Sequence, residues 1–271
     1  MALIYPPKLH QTQSETIFFI GSAEDSCSIN GEKIDLVYEG NFCPVLALEL
    51  GENIFNLEID DEQLEVLVTR EKQEQKPSEH VYEKYNGVEP KTKFSRICLD
   101  PGHGGAALGT VSPKGIAEKD LNLSLCLAIQ EELEKNGFEV FLTRTEDCDL
   151  SLEQRIQFSK ENACDLFLSI HHNAIPDHLN PLEHHGLSAH YYYEHSYELA
   201  KNISAELSSN LDLKNNSAIR QNLYVTRENK HSQALLIEAG YLIHPEESER
   251  ISKSEFQAEF AIALAKILKN L

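Results

Sequence analysis

The chain has 271 residues, of which 41% are hydrophobic and 25% charged, and its formal net charge is −20. This length suits one large domain or two ordinary ones, and the hydrophobic fraction suffices for a buried core. No apolar run approaches the roughly 20 residues that a membrane-spanning helix needs. The strong negative charge argues against nucleic acid and anionic lipid as partners. The first residues, MALIYPP, lack a basic stretch followed by an apolar one and predict no signal peptide.

The N-terminal part of the chain carries a series of short β-strand signals. Residues 16–20 are apolar and β-type, Asn30 and Gly31 predict a hairpin turn, and residues 54–59 alternate with period two. We therefore predict a small all-β sandwich of immunoglobulin-like shape over residues 1–72. Its four basic residues against fourteen acidic ones give a net charge of −10, so its surface is acidic.

From residue 94 onward, strand-like segments alternate with amphipathic helical ones. This pattern predicts an α/β domain over residues 94–271, with a mostly parallel sheet covered by helices on both faces. Residues 73–93 are polar and poor in aliphatic side chains and predict a linker. The predicted strands are 95–100, 138–143, 165–170, 187–193 and 234–238, and the predicted helices are 119–136, one opened by a capping box at Ser151, one around 199–207 and one from Ser254.

Ionisable side chains stand where these elements meet. His103 follows the first strand in the glycine-rich motif DPGHGG, Glu118 opens the first helix, and His171 follows the 165–170 strand. Two imidazoles and one carboxylate are a common catalytic zinc set that leaves the fourth position to water. Glu238 ends an apolar run, where an ionisable group is costly unless it functions, and it is the candidate general base.

Each of these residues also has a structural explanation when taken singly. A His–Gly turn is often structural, a glutamate near a helix N-terminus is favoured by the helix dipole, and Glu238 could be a buried salt-bridge partner. The argument for one composite site is that Asp100, Ile170 and Glu238 all fall at the ends of predicted strands, since sites in α/β folds form at the carboxyl ends of strands.

Five motifs together identify a family. They are DPGHGG at 100–105, EKDLNL at 118–123, LTR at 142–144, SIHHNA at 169–174 and IEAG at 237–240. Their order and spacing resemble those of the type-3, zinc-dependent N-acetylmuramoyl-L-alanine amidases over about residues 94–271. The resemblance implies that His103, Glu118 and His171 are ligands of Zn²⁺ and that Glu238 is the catalytic carboxylate. The family pattern Ser-x-His-x-Asn-Ala assigns the ligand role to His171 rather than to His172.

The resemblance implies hydrolysis of the amide bond between the lactyl group of N-acetylmuramic acid and L-alanine of the peptidoglycan stem peptide. It also implies a role in wall remodelling or cell division, in the bacterial periplasm or cell envelope. The visible sequence leaves a cytoplasmic location open. Two other functions stay open: a zinc amidohydrolase acting on soluble muropeptides or other N-acyl amino acids, and a non-catalytic wall-binding protein. Residues 1–72 are expected to contact a protein partner or to act as a spacer.

Three secondary expectations concern the surroundings of the site. The short connection between Tyr193 and the following helix leaves no room for a helical plug, so we predict an open cleft. The cluster Glu183, His184, His185 and His190 is expected to consist of exposed loop residues rather than a second metal site. The six cysteines form no C-x-x-C pair and are expected to be free thiols.

Overall fold

The computed structural model describes residues 2–72, 91 and 93–271. They form an all-β part, residues 2–72, which we call the β region, and an α/β part, residues 93–271, which we call the α/β region. The predicted linker lies outside the described residues except at positions 91 and 93, so the domain boundaries stay a prediction. No helix among the described residues is both long enough and apolar enough to cross a membrane.

The β region consists of ten strands in three sheets. A five-stranded sheet has the order β2-β10-β9-β5-β6, a three-stranded one β1-β4-β7, and β3 pairs with β8. Asn30 and Gly31, both with positive φ, join β5 to β6 as the sequence predicted. An immunoglobulin-like arrangement stays a prediction. The strands are β1 Ala2–Tyr5, β2 Leu9–Thr12, β3 Thr16–Phe18, β4 Ile20–Ser22, β5 Cys27–Ile29, β6 Glu32–Ile34, β7 Asn41–Phe42, β8 Val45–Ala47, β9 Gly51–Ile59 and β10 Glu62–Arg70.

The α/β region is built on one six-stranded mixed sheet of order β12-β11-β13-β16-β14-β15. Four neighbouring pairs are parallel, and β14 runs antiparallel to β16. The elements are β11 Arg96–Pro101, α1 Glu118–Lys135, β12 Glu139–Leu142, α2 Leu152–Glu161, β13 Leu166–Asn173, β14 Leu187–Tyr191, α3 Tyr197–Asn210, β15 Asn215–Arg220, α4 Tyr224–Arg227, β16 Gln233–Tyr241, α5 Pro245–Ile251 and α6 Ser254–Asn270.

Helices cover both faces of this sheet, and alternate side chains of its central strands enter two different cores. Leu166 and Leu168 of β13 belong to a large buried cluster that also contains side chains of α1, α3 and α6. Phe167, between them, belongs to a smaller cluster with Val225 of α4, against which Phe158 of α2 packs. The central strands are therefore buried on both sides, and their carboxyl ends are the accessible edge of the sheet.

The β region packs directly against the α/β region. Lys114 forms ion pairs with Glu39 of the β region, at 2.7 Å, and with Glu249 of α5, at 2.6 Å. Asp177 of the α/β region accepts hydrogen bonds from the Tyr5 hydroxyl and, at 3.1 Å, from His10 Nε2. Beside these contacts, a buried apolar cluster unites Phe18, Ile20 and Cys43 with Ile243. Polar and apolar contacts thus fix one part of the chain against the other.

The Asp177 contact predicts a pH-dependent stability difference. Burial raises the pKa of the Asp177 carboxyl, but hydrogen bonds from His10, Thr12 and Tyr5 outweigh this and lower it to about 2. A carboxyl with a depressed folded-state pKa stabilises the protein above its unfolded pKa, and that contribution is lost as the pH falls through the folded value. We expect Asp177→Asn to lower the free energy of unfolding by about 1–2 kcal/mol above pH 4.

The measurement is urea unfolding of both proteins, followed by circular dichroism from pH 6 down to pH 2.5. The difference between them should shrink as the pH falls below about 4, because Asp177 then takes up a proton in the unfolded chain. A difference that is the same at every pH would mean that the carboxylate charge contributes nothing.

Candidate active site

The loop that carries His103 leaves the carboxyl end of β11 in a strained conformation. His103 has φ +60°, in the left-handed region that residues with a Cβ seldom adopt. Two buried arginines hold this loop by donating to its backbone carbonyls. Arg155 Nη2 binds His103 O at 2.7 Å, while Arg144 binds Pro101 O and Gly102 O, each at 3.0 Å. The position of the imidazole is therefore fixed by contacts from two other segments.

Asp100, the last acidic residue of β11, anchors the same arginine. Its Oδ1 accepts from Arg155 Nη1 and from the Thr143 hydroxyl, both at 2.7 Å, and its Oδ2 accepts from the Ser169 hydroxyl at 2.7 Å. Asp100 and Arg155 are both buried. Their charges are thus paired and hydrogen-bonded, the condition under which a buried ion pair is tolerated. Asp100 is a supporting residue rather than a substrate contact.

Glu118 stands at the first position of α1 and is the centre of the site. Its Oε2 lies 3.2 Å from His103 Nε2, and its Oε1 lies 2.9 Å from His171 Nδ1. Backbone N–H groups also donate to it, from Thr110 to Oε2 at 2.9 Å and from His172 to Oε1 at 3.1 Å. Burial raises the pKa of Glu118, but the bonds from the two histidines outweigh it, so the pKa lies well below its usual range.

His171 lies near the carboxyl end of β13, next to His103. Their ring centroids are 4.9 Å apart, and one ligand atom from each of the two histidines and from Glu118 all lie within 4.8 Å of one another. Gly102 makes this approach possible, because a Cβ there would lie 2.2 Å from His171 Nε2. Gly109 leaves room for Glu118 in the same way, since a Cβ added at this position would lie 2.4 Å from Glu118 Oε2. Larger side chains at these two glycines would collide with the cluster.

His172 points to the other side of the strand and is not part of the cluster. It is buried, and its Nδ1 lies 2.7 Å from the Asn122 side-chain oxygen. The Asn122 amide donates in turn to Gly102 O at 3.2 Å and to Glu118 Oε1 at 3.3 Å. Burial lowers the pKa of His172 to about 4, so it is a neutral packing residue at neutral pH.

Glu238 lies on β16 beside His171. The two residues are register partners across the parallel β13–β16 pair, so both side chains stand on the same face of the sheet. The Oε2 atom of Glu238 is buried and has no hydrogen-bond partner among the described residues. Burial raises the pKa of its carboxyl to about 7. A carboxyl with a buried oxygen atom that no described protein group satisfies is the group expected to meet substrate or water.

The donor chemistry of the cluster fits a zinc ion. Zinc binds histidine nitrogen and carboxylate oxygen at about 2.0–2.2 Å, so two ligand atoms on one ion lie within about 4 Å of each other. The Glu118 oxygens satisfy this with both imidazoles, at 3.2 Å and 2.9 Å. Three protein ligands with a partnerless carboxyl beside them leave a coordination position for water.

The structure brings all four predicted site residues to one edge of the sheet. Sequence reasoning missed Arg155 and Asn122, which support the loop and the carboxylate. The cluster of residues 183–185 and 190 gives no second metal group within the described part of the chain. One expectation about it was wrong: His190 is buried and bonded to Ser188 Oγ at 2.9 Å, because β14 is an interior strand.

A single 3₁₀ turn, Glu194–Ser196, connects Tyr193 to α3, so no helical plug is inserted at this point of the chain, and the open cleft stays a prediction. The cysteines are also as expected. All six are free, and five of them are buried.

A mixed α/β sheet with a His–Glu–His cluster and an unpartnered carboxyl at its strand ends is typical of hydrolases that use a metal ion. The family model described as N-acetylmuramoyl-L-alanine amidase matches residues 97–270. The chain belongs to this family, and it is an enzyme of the N-acetylmuramoyl-L-alanine amidase class. This confirms the family predicted from the five motifs.

Individual relatives agree with this assignment. The germination-specific N-acetylmuramoyl-L-alanine amidase of Bacillus subtilis is 32% identical over 186 residues, which cover 63% of this chain and 76% of the relative. The probable cell wall amidase LytH of Staphylococcus aureus is 34% identical over 157 residues, and the match spans only half of LytH.

Two solved structures share the fold of the α/β region. The amidase AmiC2 of Nostoc punctiforme matches with a TM-score of 0.60 and 30% identity, over 64% of this chain and 94% of that one. The CwlD amidase of Clostridioides difficile, solved in complex with the GerS lipoprotein, matches with a TM-score of 0.53 and 28% identity, over 65% and 95%.

Proposed function

We propose that this enzyme is a zinc-dependent peptidoglycan amidase that hydrolyses the bond between the lactyl group of N-acetylmuramic acid and L-alanine of the stem peptide. His103, Glu118 and His171 would hold the zinc ion, and Glu238 would move the proton. The observation that carries the proposal is the position of Glu238. Its carboxyl, with Oε2 unpartnered, lies on β16, the strand next to the one that carries His171 of the donor set. The chain that carries this arrangement belongs to the amidase family.

The reaction adds water across the amide bond. When bound, zinc supplies Lewis acidity and lowers the pKa of a water molecule from about 16 to near 7. The Glu238 carboxylate takes a proton from the attacking water and later delivers it to the nitrogen of the leaving amine. The products are the free lactyl carboxylate and a peptide with a free L-alanine amine. Arg144 and Arg155 contribute by keeping the His103 loop in place through the cycle.

The experiment is dye release from labelled, purified peptidoglycan, with mass spectrometry of the released material. We expect intact stem peptides that begin with a free L-alanine amine, no release after treatment with a chelator, and recovery when zinc is restored. Release of sugar fragments instead would contradict the proposed bond. Chelator-resistant release would contradict the metal requirement.

A parallel reaction with soluble muropeptides tests the alternative substrate. Cleavage of muropeptides by a protein that leaves intact sacculi untouched would replace the proposal with the muropeptide amidohydrolase. A zinc-loaded protein that cleaves neither would favour wall binding without catalysis.

We also propose that the enzyme acts in the bacterial cell envelope, as the name of the cell wall amidase relative suggests. Residues 1–72 and 94–271 are the two domains that we propose for it.

A further inference from the structure

A cavity of about 370 Å³ lies where the β region meets the α/β region. Its walls come from both parts of the chain, and no charged side chain of the described residues lines it. We call it the interdomain cavity. It is lined on the β-region side by Ile4, Tyr5, Phe18 and Ile20, and on the other side by residues 109–111, Ala174, Ile175 and Ile243.

The α/β wall of the interdomain cavity is made of the segments that support the candidate active site. Gly109 is in close contact with Glu118 and His103, and the Thr110 N–H donates to Glu118 Oε2. Ala174 follows directly on β13, three residues after His171. The cavity therefore borders the donor set, because Gly109 and Thr110 contact Glu118 and also line the cavity.

We propose that the interdomain cavity is the subsite for the N-acetylmuramoyl group of the substrate, so that the β region supplies half of the substrate-binding surface. This inference rests on the proposed function. It gives residues 2–72 a role in substrate recognition in place of a spacer.

The chemistry of the cavity favours the sugar over the stem peptide. An amidated N-acetylmuramoyl group is uncharged and carries two methyl groups, one on the acetamido group and one on the lactyl group. Apolar walls and aromatic rings such as Tyr5 and Phe18 suit methyl groups and the apolar face of a sugar ring. A stem peptide carries at least one free carboxylate, which a cavity without cations and a β region with a net charge of −10 would repel.

The β-region wall is held rigidly enough to act as a binding surface. The Tyr5 ring stacks on Phe18 with centroids 4.8 Å apart, and its hydroxyl donates to Asp177 across the interface. Phe18 and Ile20 continue into the buried cluster with Ile243. A wall that is already ordered loses little conformational entropy when a ligand binds, which favours affinity.

The test uses four soluble substrates that differ by one methyl group, cleaved by the full-length enzyme. The reference is an N-acetylmuramoyl-L-alanyl peptide. The others replace N-acetyl with N-formyl, the lactyl ether with a glycolyl ether, or L-alanine with glycine. We expect loss of the acetyl or lactyl methyl to lower kcat/KM about tenfold in the wild type.

Two variants fill the cavity from opposite walls. Ile4→Trp extends from the β region and Val111→Phe from the α/β region; both native residues are only partly buried, and thermal melting checks that each variant is folded. We expect both to cut kcat/KM for the reference substrate about tenfold and to abolish the preference for the sugar methyl groups. The control is Leu9→Trp, because Leu9 is 75% exposed and lies outside the cavity.

Each result decides a separate point. Filled variants that cleave all four substrates as the wild type does would overturn the subsite. Variants that erase only the preference for alanine over glycine would assign the cavity to the peptide instead. A wild type that releases stem peptides from peptidoglycan but shows no preference for either sugar methyl group, or cleaves none of the four, would overturn the subsite alone. A wild type that cleaves neither peptidoglycan nor these substrates would refute the proposed function, and the subsite with it.

Discussion

Glu238→Gln is expected to lower kcat on peptidoglycan by at least about 10³-fold while the protein keeps its fold and its metal. The amide has nearly the same shape as the carboxyl but cannot take up the proton of the attacking water, and general acid–base catalysis contributes about 10²–10⁴-fold. Glu238 lies beside the donor set without a hydrogen bond to it, so its loss leaves the three ligand side chains in place.

The measurement compares single-turnover peptide release with bound zinc determined by atomic absorption. Glu246→Gln is the matched control, because Glu246 is an exposed glutamate in the first turn of α5. This control should retain wild-type turnover. Near-wild-type turnover of Glu238→Gln would remove Glu238 from the mechanism, and loss of zinc from that variant would make it a ligand.

Glu118→Gln is expected to weaken zinc binding by at least about 100-fold and to abolish turnover at limiting zinc. Losing a supporting hydrogen bond around a metal site typically costs 10–100-fold in affinity, and the loss of a charged ligand should cost more. The substitution also removes the negative charge that both imidazoles face and leaves an amide group among N–H donors. The lost charge and the unsuited amide both weaken metal binding, whereas neither affects proton transfer by Glu238.

Competition with a chromophoric chelator measures this affinity directly, without any activity assay. Asp120→Asn, two residues further along α1 and exposed, is the control and should bind zinc as the wild type does. An unchanged affinity in Glu118→Gln would exclude Glu118 as a ligand. Glu238→Gln and Glu118→Gln should thus separate catalysis from metal binding.

Features that depend on neighbouring residues were predictable from the sequence. The Ser151–Gln154 capping box begins α2 with both hydrogen bonds formed, and Asn30–Gly31 forms the β5–β6 turn. The helix α1 was predictable for the same reason, because its buried residues Leu121, Leu125, Ile129 and Leu133 recur every four residues. The candidate site was also predictable, because four residues at the predicted ends of elements matched the motifs of one family.

Features that depend on distant partners were missed. Strand β15 is largely exposed along the edge of the sheet, so it has no apolar period to indicate it. Strand β2 pairs in parallel with β10, and no local pattern specifies such a pairing. Arg155 looks like any charged residue of a polar helix, and its role follows only from Asp100, 55 residues earlier in the chain. The interdomain cavity exists only because the two regions meet.

The register of β13 against β16 has a consequence for how this enzyme can diverge. His171 and Glu238 occupy paired positions on adjacent strands, so their separation follows the strand spacing of about 4.8 Å that every β-sheet shares. Insertions or exchanges in the surrounding loops leave that spacing unchanged. The segment that follows β16, from Leu242 to His244, lies beyond this pair and is not fixed by the strand spacing. New substrates can therefore be acquired at the rim while the reaction itself is inherited with the sheet.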